Sequence, residues 1–258
     1  MPLLPTRETQ VDNLHINIFA SNDELGQAAA EAAEGILRRA CEERGTASVI
    51  LASGNSQLSF LRALRASNRL AWEKIHVFHM DEWLHLPPGH PARFDLFMHR
   101  ELIDHVRLAH FYPVRPDNGD AEAASRAYER LLREHPADLC MCGIGENGHL
   151  AFNDPPYADF DDPRWVKVVE IDTISRQQQV GEGHFAGLEA VPKDAISLTI
   201  PALLAARQVL CLAPEARKAN IVARVLTQPI SEDCPATVLR RAPHARLYLD
   251  QASAASLT

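Results

Sequence analysis

HINIFASNDELGQAAAEAAEGILRRACEERGTASVILAS, residues 15–53, changes its hydrophobic period twice. Residues 15–20 read as a strand. Ser21 and Glu24 then have the spacing of a helix capping box, the following residues run as a long Ala- and Leu-rich helix, and Gly45 supplies its stop. Residues 47–53 return to a short apolar run that reads as a second strand. The same alternation continues outward. Residues 74–80, 138–143, 165–171, 195–199, 209–213 and 246–249 read as strands; residues 58–66, 95–106, 121–134, 215–227 and 235–241 read as helices. Short β-rich runs alternating with helices point to an α/β fold whose parallel or mostly parallel sheet is covered by helices. The segment DEWLHLPPGHPARF, residues 81–94, is too polar for a core element and is expected to be a loop. No linker or repeat divides the chain, so residues 1–258 are expected to form a single domain.

Composition excludes several classes of function. The 258 residues are 46% hydrophobic, enough for a large core, and 34 acidic against 26 basic side chains leave a net charge of −8. Interspersed charges of that sign argue against nucleic acid and against an anionic membrane surface as partners. No 18 apolar residues run together, so no membrane span is expected. The N-terminal residues lack the pattern of a signal peptide, and the five dispersed cysteines read as reduced thiols, so a cytoplasmic location is expected.

In open α/β sheets ligands bind beyond the carboxyl ends of the strands. Three loops in that position carry the unusual chemistry. Ser53-Gly54-Asn55-Ser56-Gln57 places small residues and two hydroxyls at a helix start, where backbone N–H groups attract an anion; steric needs of a tight turn would produce a similar composition. Asp81 and Glu82 end a strand, and adjacent extended residues point oppositely, so only one carboxylate can face a given pocket as a general base. His76, His79, Asp81, Glu82 and His85 could instead be gathered round a metal, but they lack a recognised ligand spacing and no metal is expected. The third loop, GIGENGHLAFNDPP at residues 143–156, is the most informative. Its glycines, Gly145 among them, let the backbone fold tightly over a ligand beside His149, and Asp154 could orient that imidazole.

These residues resemble a known family. MDEW (80–83) followed by HPARFDLFMHRELIDHV (90–106), and GIGENGHLAFNDP (143–155), resemble the MDEY…HPxSYxxFM and GxGxDGHxAFNEP signatures of glucosamine-6-phosphate deaminases. SGNSQLSFLRAL (53–64) is similar to their phosphate loop, and residues 191–226 are similar to a segment that places a lysine at Lys218. The resemblance implies a modified Rossmann-like three-layer αβα sandwich and the conversion of glucosamine 6-phosphate and water into fructose 6-phosphate and ammonia, without a cofactor. It implies that Asp81 carries a proton from C2 to C1, that His149 opens the sugar ring, and that Ser53, Gly54, Asn55, Ser56 and Lys218 hold the phosphate. A homo-oligomer is expected, as is common in such families.

Three departures qualify the match. The family flanks its histidine with an aspartate two residues before and a glutamate five residues after, where this chain has Asn147 and Asp154. Loss of one charge at the imidazole could be compensated by Glu146. The family's phosphate-binding arginine falls near Gln179, and Arg176 is the nearest candidate to replace it. The alternatives are a 6-phosphogluconolactonase, a deaminase of another hexosamine 6-phosphate, and a sugar-phosphate sensor without turnover.

Overall fold

A computed structural model describes residues 3–115 and 119–257. In chain order the elements are β1 (Arg7–Val11), β2 (Leu14–Phe19), α1 (Asn22–Arg44), β3 (Ala47–Leu51), α2 (Leu58–Arg65), β4 (Ile75–His79), β5 (Asp81–Trp83) and α3 (Phe94–Glu101). There follow β6 (His110–Tyr112), α4 (Ala121–Glu134), β7 (Leu139–Gly143), β8 (Val166–Glu170), α5 (Thr173–Gly181), β9 (Asp194–Leu198), α6 (Ile200–Leu204), β10 (Gln208–Leu212), α7 (Ala219–Thr227) and β11 (Ala245–Asp250). The opening motif forms as its sequence dictates. Ser21 caps α1 by accepting the Glu24 N–H, and Gly45 ends it in the left-handed conformation at φ 84°.

Eight strands make the central sheet in the order β1-β2-β11-β10-β7-β3-β4-β6. All pairs are parallel except β1 with β2. Alternate residues feed two separate cores, which is why these strands read as continuous apolar runs. On β7, Leu139 and Met141 face α1 and α2, while Cys140 and Cys142 face α4, α6 and α7. Helices thus cover both faces, giving the expected three layers. Among the described residues no helix is long and apolar enough to cross a membrane.

The structure departs from the sequence reading in two segments that matter for the site, residues 81–83 and α5. Residues 81–83 are β5, the first strand of a small antiparallel sheet ordered β5-β9-β8. Trp83 is only 2% exposed and packs against Phe94, Phe152 and Phe185. The polar, Pro-, Gly- and His-rich composition of residues 81–94 made this stretch read as a loop. It is buried because the strand and the start of α3 supply the donors that Glu82 needs, as described below. β1, β6, α5 and α6 also form where no element was expected, and residues 235–241 wind as a 3-10 helix.

Candidate active site

Because the central strands are parallel, the loops after β3, β4, β7 and β10 leave the same edge of the sheet. They line one cavity together with residues of α3 and α5. After β3 the chain turns at Gly54, whose φ of 135° favours glycine, and enters a 3-10 turn at Asn55–Gln57 that leads directly into α2. N–H groups at such a start have no carbonyl one turn earlier to bond, so they are free to face an anion. Ser53, Gly54, Asn55 and Ser56 all line the cavity. The buried Gln57 side chain ties this loop to β7 by donating from Nε2 to the Cys142 carbonyl at 3.3 Å.

Lys218 reaches the cavity from the turn preceding α7 and is 3% exposed. Among the described residues, none hydrogen-bonds or ion-pairs with its ammonium, and the buried Ser53 Oγ likewise has no partner. Burial pushes the Lys218 ammonium down, as does the neighbouring Arg217, against the pull of Glu182, Glu146 and Glu215. A buried unpaired cation beside an unpaired hydroxyl and a helix start is a site short of an anion.

The neighbouring carboxylates of β5 do point to opposite sides. Glu82 accepts the N–H groups of Trp83, Phe94 and Asp95 at 2.9, 3.1 and 2.9 Å, which fastens the small sheet to α3. Its role is structural, although burial still pushes its carboxyl up to about 7. Asp81 lines the cavity and accepts no hydrogen bond from the described residues. Burial, and then the charge of Glu82, pushes its carboxyl up to about 8. An acid so placed is neutral at low pH and becomes a strong, poorly solvated base once ionised.

The loop after β7 delivers His149 to the same cavity. Gly145 is obligatory there, since a Cβ on it would lie 2.1–2.3 Å from three atoms of the imidazole ring. Behind the ring, Asn147 Oδ1 and Ser175 Oγ lie 2.9 and 2.7 Å from His149 Nδ1, and Asp154 Oδ1 lies 3.1 Å away. Asn147 Nδ2 donates to Asp154 Oδ1 at 2.9 Å, so its Oδ1 must accept from the ring. That fixes the proton on Nδ1 and leaves Nε2 without a partner among the described residues, free to act on a ligand. Asp154 is fully buried. Burial alone would raise its carboxyl, but the hydrogen bond and charge of His149, with Asn147 and Ser175, hold it down to about 2.

The sequence model of glucosamine-6-phosphate isomerases and 6-phosphogluconolactonases matches residues 20–249. The chain belongs to this family. A glucosamine-6-phosphate deaminase of Bacillus cereus strain B4264 is 32% identical over 238 residues, covering 92% of this chain and 87% of the relative. One from Bacillus thuringiensis strain Al Hakam matches with the same identity and coverage. A solved structure described as a monomeric glucosamine-6-phosphate deaminase superposes with a TM-score of 0.85 at 26% identity, covering 93% of this chain and 99% of the other. The 6-phosphogluconolactonase of Trypanosoma brucei, at 20% identity and a TM-score of 0.76 over 98% of this chain and 100% of the other, shares the fold.

Against the family pattern, two expected residues are placed elsewhere. The Arg176 guanidinium donates to the carbonyls of Leu188 and Val191 at 2.7 and 2.9 Å and does not line the cavity. Arg176 lies one turn before Gln179 on nearly the same face of α5, and its guanidinium is held instead by the carbonyls of the segment that follows the helix, while Gln179 lines the cavity. Glu146 is exposed, and its backbone N–H is held by Gln178 Oε1 at 2.9 Å; Asn147, Ser175 and Asp154 occupy the positions round Nδ1. The residues weighed as metal ligands are dispersed. His79 accepts the Val114 N–H at 2.6 Å, His76 stacks on His135 with ring centroids 4.7 Å apart, and His85 is exposed. Among the described residues, no three His, Cys, Asp or Glu side chains could hold one ion.

Several residues escaped the sequence reading, among them Arg93, Arg100, Glu182 and His184 on the cavity wall. Arg217 lines the cavity and pairs with Glu182 and Glu215 at 2.6 and 2.8 Å, which brings a second cation beside Lys218. Its adjacency to Lys218 in the chain was the available signal. Ser175 had none, because its meeting with His149 depends on how α5 packs.

Proposed function

We propose that the chain converts glucosamine 6-phosphate and water into fructose 6-phosphate and ammonia. The observation that carries this reading is the convergence of Asp81, His149, Lys218 and the Ser53–Ser56 turn on one cavity. The phosphate dianion sits against the turn and is neutralised by Lys218, with Ser53 Oγ donating to it. His149, holding its proton on Nδ1, uses Nε2 to take the proton of the C1 hydroxyl and return it to the ring oxygen, opening the pyranose. Ionised Asp81 then removes the C2 proton and delivers it to C1, while the C1 oxygen gains the proton that the amino group gives up. The resulting C2 imine adds water and releases ammonia, leaving the ketose. Asp81 suits this task because burial makes its carboxylate more basic, and a base works best with a pKa near the working pH.

The relatives named as glucosamine-6-phosphate deaminases support the same reading. A cytoplasmic location and self-association belong to it as well, and light scattering of the purified protein decides the latter. The direct test supplies a panel of hexosamine 6-phosphates and measures ammonia and ketose phosphate. Release from glucosamine 6-phosphate is the expected result. Release only from another epimer transfers the reading to that sugar. Hydrolysis of 6-phosphogluconolactone with no ammonia from any hexosamine would overturn it in favour of the lactonase, and ligand-induced thermal stabilisation without turnover would favour a sensor.

A further inference from the structure

We infer that Ser175 is a positioning residue for His149 and supplies, from α5, a hydroxyl link between the ring and the Asp154 carboxylate in addition to the one through Asn147. Its kinetic consequence rests on the deaminase reading; its structural consequence does not. Asn147 orients the ring and reaches Asp154 only through the length of its amide. The nearest charge, Asp154, lies 3.1 Å from Nδ1. Ser175 Oγ is closer, at 2.7 Å, and Ser175 is 1% exposed. A hydroxyl has one proton to donate, and this one goes to Asp154 Oδ1. Its lone pairs therefore face Nδ1–H. The resulting chain runs from the Asp154 carboxylate through the serine hydroxyl to the imidazole, each bond polarising the next in the direction that stabilises positive charge on the ring.

The serine cannot drift from this place. It occupies the first turn of α5, which Asp172 caps by accepting the Ile174 N–H at 3.2 Å. The Asp172 N–H in turn donates to Asp154 Oδ2 at 2.9 Å. One oxygen of Asp154 thus anchors the start of the helix while the other receives the helix's serine hydroxyl. Asn147 Nδ2 also reaches Ser175 Oγ at 3.2 Å and Asp172 Oδ2 at 3.3 Å, closing the network. Asp154 and Asp172 are the charges behind the imidazole; Asp81, Arg93, Arg100, Glu182, Arg217 and Lys218 line the cavity with it. Ser175 itself does not line the cavity, so it acts through the histidine rather than on the substrate.

Two variants separate this role from simple packing. In Ser175→Ala, kcat for ammonia release should fall about tenfold, the size of one lost hydrogen bond in a charged chain, with KM little changed. Ser175→Thr keeps the hydroxyl and should restore most of the loss. The independent readout is the His149 Nδ1–H proton, followed by NMR of 15N-histidine-labelled protein. It should be a downfield, slowly exchanging signal in the parent and in Ser175→Thr, and should move upfield and exchange at least tenfold faster in Ser175→Ala. An unchanged Nδ1–H signal in a folded Ser175→Ala protein would overturn the inference, as would equal kcat losses in both variants. If no sugar phosphate yields ammonia but the Nδ1–H signal responds as described, the deaminase reading fails and the positioning role of Ser175 stands.

Discussion

Replacing Asp81 by asparagine should stop proton transfer at C2 and, at the same time, make the protein more stable. The burial that makes Asp81 a useful base also penalises its charge. Its carboxyl, ordinarily at 3.8, is pushed up to about 8 in the folded protein. Below pH 4 both folded and unfolded chains hold the proton, and asparagine should change little. Between pH 4 and 8 the unfolded chain releases it while the folded chain keeps it, so the parent loses stability as pH rises. At pH 7 the mismatch spans about three pH units at about 1.4 kcal/mol each, an upper bound of about 4 kcal/mol. Water in the adjoining cavity solvates the carboxylate and reduces this, so a gain of about 1–4 kcal/mol is expected for Asp81→Asn at pH 7. Urea denaturation of both proteins at pH 4, 6, 7 and 9 gives the measurement. The difference should grow with pH and level off above about pH 8. In deuterated water the variant should also incorporate no deuterium at C2, while inorganic phosphate still protects it against heat. A stability difference independent of pH, or retained C2 exchange, would refute the reasoning.

The other residues give sharper, single-sided expectations. Lys218→Met should lower kcat/KM about 10- to 150-fold, the range for a lost charged hydrogen bond, and abolish thermal stabilisation by inorganic phosphate while raising the melting temperature of the free protein. Unchanged phosphate protection would remove Lys218 from the anion site. Gly145→Ala forces a methyl group into the His149 ring and should cut kcat at least tenfold with circular dichroism unchanged; a fully active variant would show that the ring has room to move. Asp154→Asn removes a carboxyl held down to about 2, whose contribution is present above its ordinary value near 4 and fades as pH falls towards 2. The variant should be about 2 kcal/mol less stable at pH 7, with the deficit vanishing between pH 4 and 2 in denaturant titrations. An equal deficit at all these pH values would assign the loss to packing.

Much of the architecture is legible in the chain because its determinants are local. The period change around residues 15–53, the Ser21 cap and the Gly45 stop act within a turn or two of themselves, so their outcome does not depend on the rest of the molecule. The same holds for the three loops. Each follows a strand of the sheet, and parallel strands bring such loops to one edge whatever their detailed packing, so Ser53, Asp81, His149 and Lys218 could be expected together.

What the chain alone did not reveal depends on contacts between distant segments. Residues 81–83 look like a solvated loop until the N–H groups of Phe94 and Asp95 satisfy Glu82 and allow β5 to be buried against β9. Arg176 is the nearest arginine in the chain to the family position, but the carbonyls of Leu188 and Val191, more than ten residues away, hold its guanidinium outside the cavity that Gln179 lines. The departure at Asn147 reads as a lost charge. Ser175, 28 residues away, adds a link to Asp154 through a hydroxyl whose position is set by the capping of α5. Periodicity and loop chemistry thus decide where the site is; side chains that meet only across folded elements decide how its histidine is held, because hydrogen bonds require distances and directions that a linear order does not contain.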